Sequence, residues 1–202
     1  VKKLRERDNF VEYIDEFKQN KKTIVFGSSW ESEERLAEIV ASKNRDLKMI
    51  IAPHDLKRVA NLKEIFPNAM LYSQLTNSQV FNSSNSQVLI IDCIGLLSKL
   101  YSYGDLAVVG GGFHSKGLHN ILEAATFGIP VLFGDHYQKN PEADELIAQH
   151  GGKSFEDEFF AAPYILSLLN DEELLKKMSE NARNFIDSQP NASDIILKKI
   201  LS

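Results

Sequence analysis

Two rhythms alternate along the chain. Short unbroken apolar runs, of the length of a buried strand, are separated by segments whose apolar residues return every three or four positions, the spacing of one helix face. The runs are Thr23–Phe26, Met49–Ala52, Val88–Ile91, Leu106–Val109 and Val131–Phe133, with a weaker one at Ala69–Tyr72 and a short one near Lys153–Phe155. The helical segments begin with residues 8–19, carrying Phe10, Val11, Ile14 and Phe17, and continue with Glu33–Lys43, whose apolar face is Leu36, Ile39 and Val40. Leu56, Val59, Ala60 and Ile65 define the next inward face, closed by Pro67. A short helix is predicted up to about Tyr103, another carries Leu122, Ala125 and Thr126, and three more cover about 140–150, 157–187 and 192–201. Residues 73–87, rich in Ser, Asn and Gln, read as a surface excursion.

Strand–helix alternation with nearly continuous apolar strands predicts an α/β fold, a Rossmann-like parallel sheet with helices on both faces, and one domain over residues 1–202. In such sheets ligands bind at the carboxyl ends of the strands, where the strand order reverses. The unusual residues of this chain all follow strands directly. Gly27-Ser28-Ser29 follows the first, Pro53-His54 the second, Asp92 the fourth, Gly110–Gly112 the fifth and Gly134-Asp135-His136 the sixth.

The stretch from Gly110 to Glu123 is the most informative. A strand ending in glycines and leading into a helix places backbone N–H groups beside a helix N-terminus, which favours an anion. Glu123, in the first helical turns, is placed to accept hydrogen bonds from a sugar hydroxyl, and phosphate with ribose means a nucleotide. Simpler readings stand beside these. Gly27-Ser28-Ser29 also reads as a turn and helix cap with Glu31, Glu33 and Glu34 in the first turn, Asp92 as a cap for the helix that follows it, Gly95 as a turn glycine, and His119-Asn120 as caps.

A net charge of −5 argues against a nucleic-acid surface. The single cysteine, Cys93, excludes an internal disulfide framework, and no apolar run nears the roughly 18–20 residues of a membrane span. No signal peptide is visible, so the chain reads as a soluble globular domain, and its start at Val1 reads as that of a fragment or a processed chain. There is no ATPase P-loop and no G-x-S-x-G elbow, and His114 and His119 lack the spacing of a helical zinc pair. No metal, no cofactor and no catalytic nucleophile is expected within these residues.

The ordered set G-S-S-W-x-x-x-E (Gly27–Glu34), I-A-P-H (Ile51–His54), I-D-C-I-G-L-L-S-K-L-Y (Ile91–Tyr101), V-V-G-G-G-F (Val108–Phe113), G-L-H-N-I-L-E-A-A (Gly117–Ala125) and G-I-P-V-L-F-G-D-H (Gly128–His136) resembles the C-terminal half of 3-deoxy-D-manno-octulosonic acid (Kdo) transferases. The resemblance runs from about Lys21 to Gly152. It implies the C-terminal half of a GT-B glycosyltransferase, holding the CMP of the donor CMP-Kdo in an inverting, metal-independent transfer to a lipid A precursor. It further implies that the acceptor site and the general base lie in an N-terminal half absent from this chain, that this fragment alone is inactive, and that the full-length protein is membrane-associated at the cytoplasmic face of the bacterial inner membrane. Carried over by residue, Gly111, Gly112, His119 and Asn120 match the segment holding donor phosphate and sugar, Glu123 the glutamate on the ribose, Pro53 and His54 the segment facing cytosine, Ile94 and Gly95 the loop lining base and ribose, and Ser28 and Ser29 the serines at the first strand's end. Two departures stand out. Pro53-His54-Asp55 replaces Pro-Arg-His, with Arg58 as a substitute for the missing arginine, and Leu96 follows Gly95 where the family carries Glu. His119 or Lys116 is expected to add a positive contact or a proton, and the final helix, Asp194–Leu201, to pack back onto the other half. The alternatives are a UDP-sugar transferase or epimerase domain and a non-catalytic flavodoxin-like module.

Overall fold

The computed structural model describes residues 2–75, 86–115 and 117–189. β1 (Thr23–Ser29) is followed by α2 (Glu31–Lys43), after a short α1 (Ile14–Lys18), and then come β2 (Lys48–Pro53), α3 (Val59–Ile65), β3 (Met70–Leu71) and β4 (Val88–Ile90). The second half runs α4 (Leu97–Leu100), β5 (Leu106–Val109), α5 (Leu122–Thr126), β6 (Val131–Gly134), α6 (Pro141–Ala148), β7 (Gly152–Phe155), α7 (Glu158–Asn170) and α8 (Glu172–Ser188). The seven strands form one sheet in the order β3-β4-β2-β1-β5-β6-β7, and every pairing is parallel. From β1 the chain builds outward through β2, then returns to the other side with β5, so the reversal lies between β1 and β5.

Alternation along each strand divides the core in two. Val25, Ile50, Leu89, Ala107 and Val131 face one side, where Ile14, Phe17, Leu100, Tyr101, Ile121, Ala125 and Phe185 cover them. Ile24, Phe26, Met49, Ile51, Ile90, Val108 and Leu132 face the other, under Leu36, Val40, Leu62, Ile165 and Leu168. The apolar runs of the sequence are therefore buried on both faces, as a parallel sheet requires.

Three helices differ from their sequence patterns. The segment expected to be helical over 8–19 is helical only from Ile14: Tyr13 is left-handed at φ 68°, the Asp8 carboxylate accepts the Phe10 N–H at 2.9 Å, and the Tyr103 hydroxyl accepts the Val11 N–H at 2.8 Å. Phe10 is left 64% exposed. The helix expected from Leu56 starts as a 3-10 turn, Leu56–Arg58, and buries Leu62 and Phe66 while leaving Leu56 and Ala60 exposed. The 157–187 pattern breaks at Asp171, whose carboxylate accepts the Leu174 N–H at 2.9 Å and caps α8. Of the polar excursion, Tyr72–Gln74 forms a 3-10 turn and 76–85 lie outside the described residues, as do Lys116 and the predicted helix 192–201.

At the end of the sheet opposite the strands' carboxyl ends, Lys48 is 2% exposed; its Nζ donates to the Ser86 carbonyl at 2.6 Å and lies 4.7 Å from the Phe17 ring centroid. Burial, and then the charge of Lys21, pushes its ammonium down to about 8. The first residues are tied to the last helix. Lys2 Nζ donates to the carbonyls of Asp187 at 2.9 Å and Gln189 at 2.7 Å, and Arg5 pairs with the Asp187 carboxylate.

Candidate functional site

The candidate residues collect at the reversal point because two loops meet there. β1 carries a bulge between Gly27 and Ser29, with Ser28 left-handed at φ 53°. This turns the chain so that Trp30, not a serine, occupies the cap position of α2. The serines therefore make the turn but not the helix cap, and the Ser29 hydroxyl is withdrawn from the rim. The Ser29 side chain is fully buried, and its hydroxyl points at Glu34 Oε1, 3.5 Å away. Ser28 remains half-buried at the rim.

Across from it, β5 runs into Gly110. The Gly110 N–H donates to the Gly27 carbonyl at 2.8 Å, and the Gly110 carbonyl accepts the His119 N–H at 3.0 Å. Gly111 sits at φ +93°, and a Cβ there would lie 2.3 Å from the Gly117 carbonyl oxygen. A Cβ on Gly112 would lie 2.7 Å from both the N and the O of Gly134. The glycines thus let three backbone segments touch. This qualifies the expected anion cradle in two ways. The Gly111 N–H already donates to Glu33 Oε1 at 3.0 Å, and α5 has only five residues, too few for a strong dipole.

The segment leading into α5 keeps its polar groups at the surface. Asn120 Oδ1 accepts the Leu122 N–H at 3.0 Å in a turn one residue ahead of the cap position, which Ile121 holds without a side-chain bond, and its Nδ2 donates to Glu123 Oε1 at 3.2 Å. Glu123 is half-buried and faces the buried Tyr101, whose phenol is pushed up by burial and then by the Glu123 charge. Tyr101 in turn lies beneath Gly27: a Cβ at Gly27 would stand 1.9 Å from the phenol oxygen.

Four aromatic rings form a cluster over the reversal point. Trp30 stacks on His54 at 4.3 Å and 20°, meets His114 edge-on at 4.9 Å, and His54 lies 4.7 Å from His119. Burial, then His54 and His114, pushes the His119 imidazole down, so near neutral pH it is an uncharged donor and acceptor. Trp30 was not singled out from the sequence, although its place one residue after the strand's serines was the available signal. Pro53 and His54 are brought to the same rim by β2, the neighbour of β1. Ile94, 89% exposed, and Gly95, at φ +94° with open space beside it, stand farther out after β4.

Two expectations are corrected here. Asp92 does not cap the helix after it; its carboxylate accepts the N–H of Ser73 at 2.8 Å and the Ser73 hydroxyl, tying the rim to the 3-10 turn after β3. Arg58 does not replace a base-contacting arginine. Its Nε and Nη2 donate to the fully buried Glu34 carboxylate at 2.8 and 2.7 Å, and its Nη1 to Glu31 at 3.2 Å. Among the described residues no group of three or more His, Cys, Asp or Glu is placed to hold a metal ion, and no helix is long and apolar enough to cross a membrane.

No family model matches the chain. It is 28% identical over 157 residues to the 3-deoxy-D-manno-octulosonic acid transferase of Chlamydophila psittaci, covering 77% of this chain and 36% of that protein. To the transferase of the same name from Aquifex aeolicus it is 31% identical over 134 residues, covering 66% of this chain and 33% of the relative. The chain therefore spans about a third of the length of these relatives. Among solved structures it superposes on the C-terminal CMP-Kdo binding domain of WaaA from Acinetobacter baumannii with a TM-score of 0.74 and 21% identity, covering 86% of this chain and 92% of that one. The resemblance to Kdo transferases and the fold of a GT-B C-terminal half are both borne out.

Proposed function

We propose that this chain is the donor-binding half of a Kdo transferase and holds CMP-Kdo at the β1–β5 reversal. The observation that carries the reading is the Asn120–Glu123 pair standing beside the glycine loop at that point, in a chain whose relatives are Kdo transferases. Glu123 accepts from the ribose hydroxyls, exchanging its bond to Asn120 for one to the ligand. The donor phosphate lies along Gly112 and His119–Asn120. Because the Gly111 amide is engaged by Glu33, the neutral His119 ring takes a larger part in holding that phosphate than the glycine N–H groups do. As CMP leaves, its phosphate gathers charge, and donors fixed beforehand stabilise that charge without reorganising. Pro53, His54, Ile94 and Gly95 line the cytosine side, with the Trp30–His54 stack as its flat wall.

The general base and the site for a lipid A precursor come from chain outside these 202 residues, in a full-length protein working at the cytoplasmic face of the inner membrane. Titration of the ¹⁵N-labelled chain with CMP, and UMP as control, tests the reading. Shifts at Gly110–Glu123, Pro53 and Gly95 that are stronger for CMP are expected. An equal or stronger response to UMP would replace it with a UDP-sugar enzyme.

A further inference from the structure

Glu33 belongs to an acid-rich first turn that ordinarily faces water, yet it is fully buried. One oxygen does the usual work of a third helical residue: Oε2 reaches back to the Trp30 N–H at 2.8 Å. The other reaches out of the helix. It accepts the Gly111 N–H at 3.0 Å, from a residue 78 positions along the chain. The peptide unit between Gly110 and Gly111 is thereby held at both ends, its N–H by Glu33 and its carbonyl by the His119 N–H at 3.0 Å.

A peptide flanked by two glycines rotates with little steric resistance, so something must choose its orientation. If it turned over, the carbonyl would leave His119 and a second acceptor would face the Glu33 carboxylate. We propose that Glu33 is a positioning residue that locks the Gly110–Gly111 peptide plane and, through it, sets His119 against the nucleotide. This rests on the donor-site reading above and adds to it a residue that the ligand itself does not touch.

The lock depends on both oxygens accepting. A protonated carboxyl has one good acceptor fewer, as does a glutamine. Burial pushes the Glu33 carboxyl up to about 7, against the N–H bonds of Trp30, its own backbone and Gly111, with the Glu34 charge adding to the rise. Among the described residues, the other titratable and charged groups on the elements that meet it are Glu31 and Glu34 on α2, Arg58 after β2, and His54, His114 and His119 on the rim.

The test begins with ligand-free wild type. The Glu33 carboxyl carbon and the Gly111 amide are followed by ¹³C and ¹⁵N NMR from pH 5 to 9, while histidine ring protons report the imidazoles separately. The Gly111 amide is expected to track Glu33, with a shared midpoint near 7. In Glu33→Gln that step disappears, and CMP affinity falls roughly tenfold, the loss of one hydrogen bond to a charged group. Glu33→Asp, charged but too short to reach Gly111, loses affinity to the same degree. A Gly111 amide that follows only the histidines in wild type, or a Glu33→Gln protein that keeps wild-type CMP affinity, overturns the proposal. Should Glu33→Gln fail to fold, the wild-type amide titration decides alone. A wild type that binds neither CMP nor UMP defeats the donor-site reading, while the Gly111 response still judges the lock.

Discussion

Replacing Arg58 by Ala separates a structural cation from a ligand-reading one. The guanidinium makes two parallel bonds to Glu34 at 2.8 and 2.7 Å and a third to Glu31 at 3.2 Å. The third counts for little, since the Glu31 side chain is 79% exposed and a surface pair contributes about 0–1 kcal/mol. Glu34 is different: its side chain is 0% exposed, and removing the partner of a buried charge costs about 3–5 kcal/mol. The Ser29 hydroxyl, 3.5 Å away, is too far to make up the difference. Arg58→Ala is therefore expected to lose about 3–5 kcal/mol, read as a lower urea midpoint at unchanged m, or a melting temperature lower by roughly 6–20 °C. Pairing it with Glu34→Gln restores part of the loss, because the orphaned charge is gone. CMP affinity of the folded single variant stays within about twofold of wild type, since no phosphate or base contact is removed. If the variant instead kept its stability to within about 1 kcal/mol and lost CMP binding tenfold or more, the guanidinium would be reading the ligand and the present account would be wrong.

Two further outcomes follow. Glu123→Ala removes a half-buried carboxylate whose bond is to the neighbouring Asn120, so CMP binding should weaken about tenfold by calorimetry with stability unchanged to about 0.5 kcal/mol; undiminished binding would remove Glu123 from the ribose. Lys48 has a folded-state value pushed down to about 8 from 10.5, so between those values the unfolded chain holds a proton that the folded chain lacks, and this group makes stability rise with pH across that window. The rise is about 3 kcal/mol at ~1.36 kcal/mol per unit, and subtracting the urea-derived stability of Lys48→Met at pH 8 and 10 isolates it; parallel curves for the two proteins would show that Lys48 is not desolvated.

The sheet and the rim were readable because their signals are local. Five unbroken apolar runs became β1, β2, β4, β5 and β6, and the residues just past them had to share one edge once the strands were parallel. The distant pairings were not readable. Nothing in Glu31-Ser32-Glu33-Glu34 says which glutamate turns inward, because the partners that decide it are Gly111 and Arg58. The same contact explains the register of α3, where a turn that delivers Arg58 to Glu34 rotates Leu56 and Ala60 toward water and Leu62 into the core. Asp92 looked like a helix cap because the helix is near in sequence, whereas Ser73 is near only in space. Trp30, His54, and the pair His114 and His119 come from three separate connections, after β1, β2 and β5, so their stacking had no sequence signature.

The knot of Lys2 and Arg5 with the end of α8 has a mechanical meaning. It holds the first described residues against the end of α8, so screening the Arg5–Asp187 pair with salt loosens both segments at once rather than either alone.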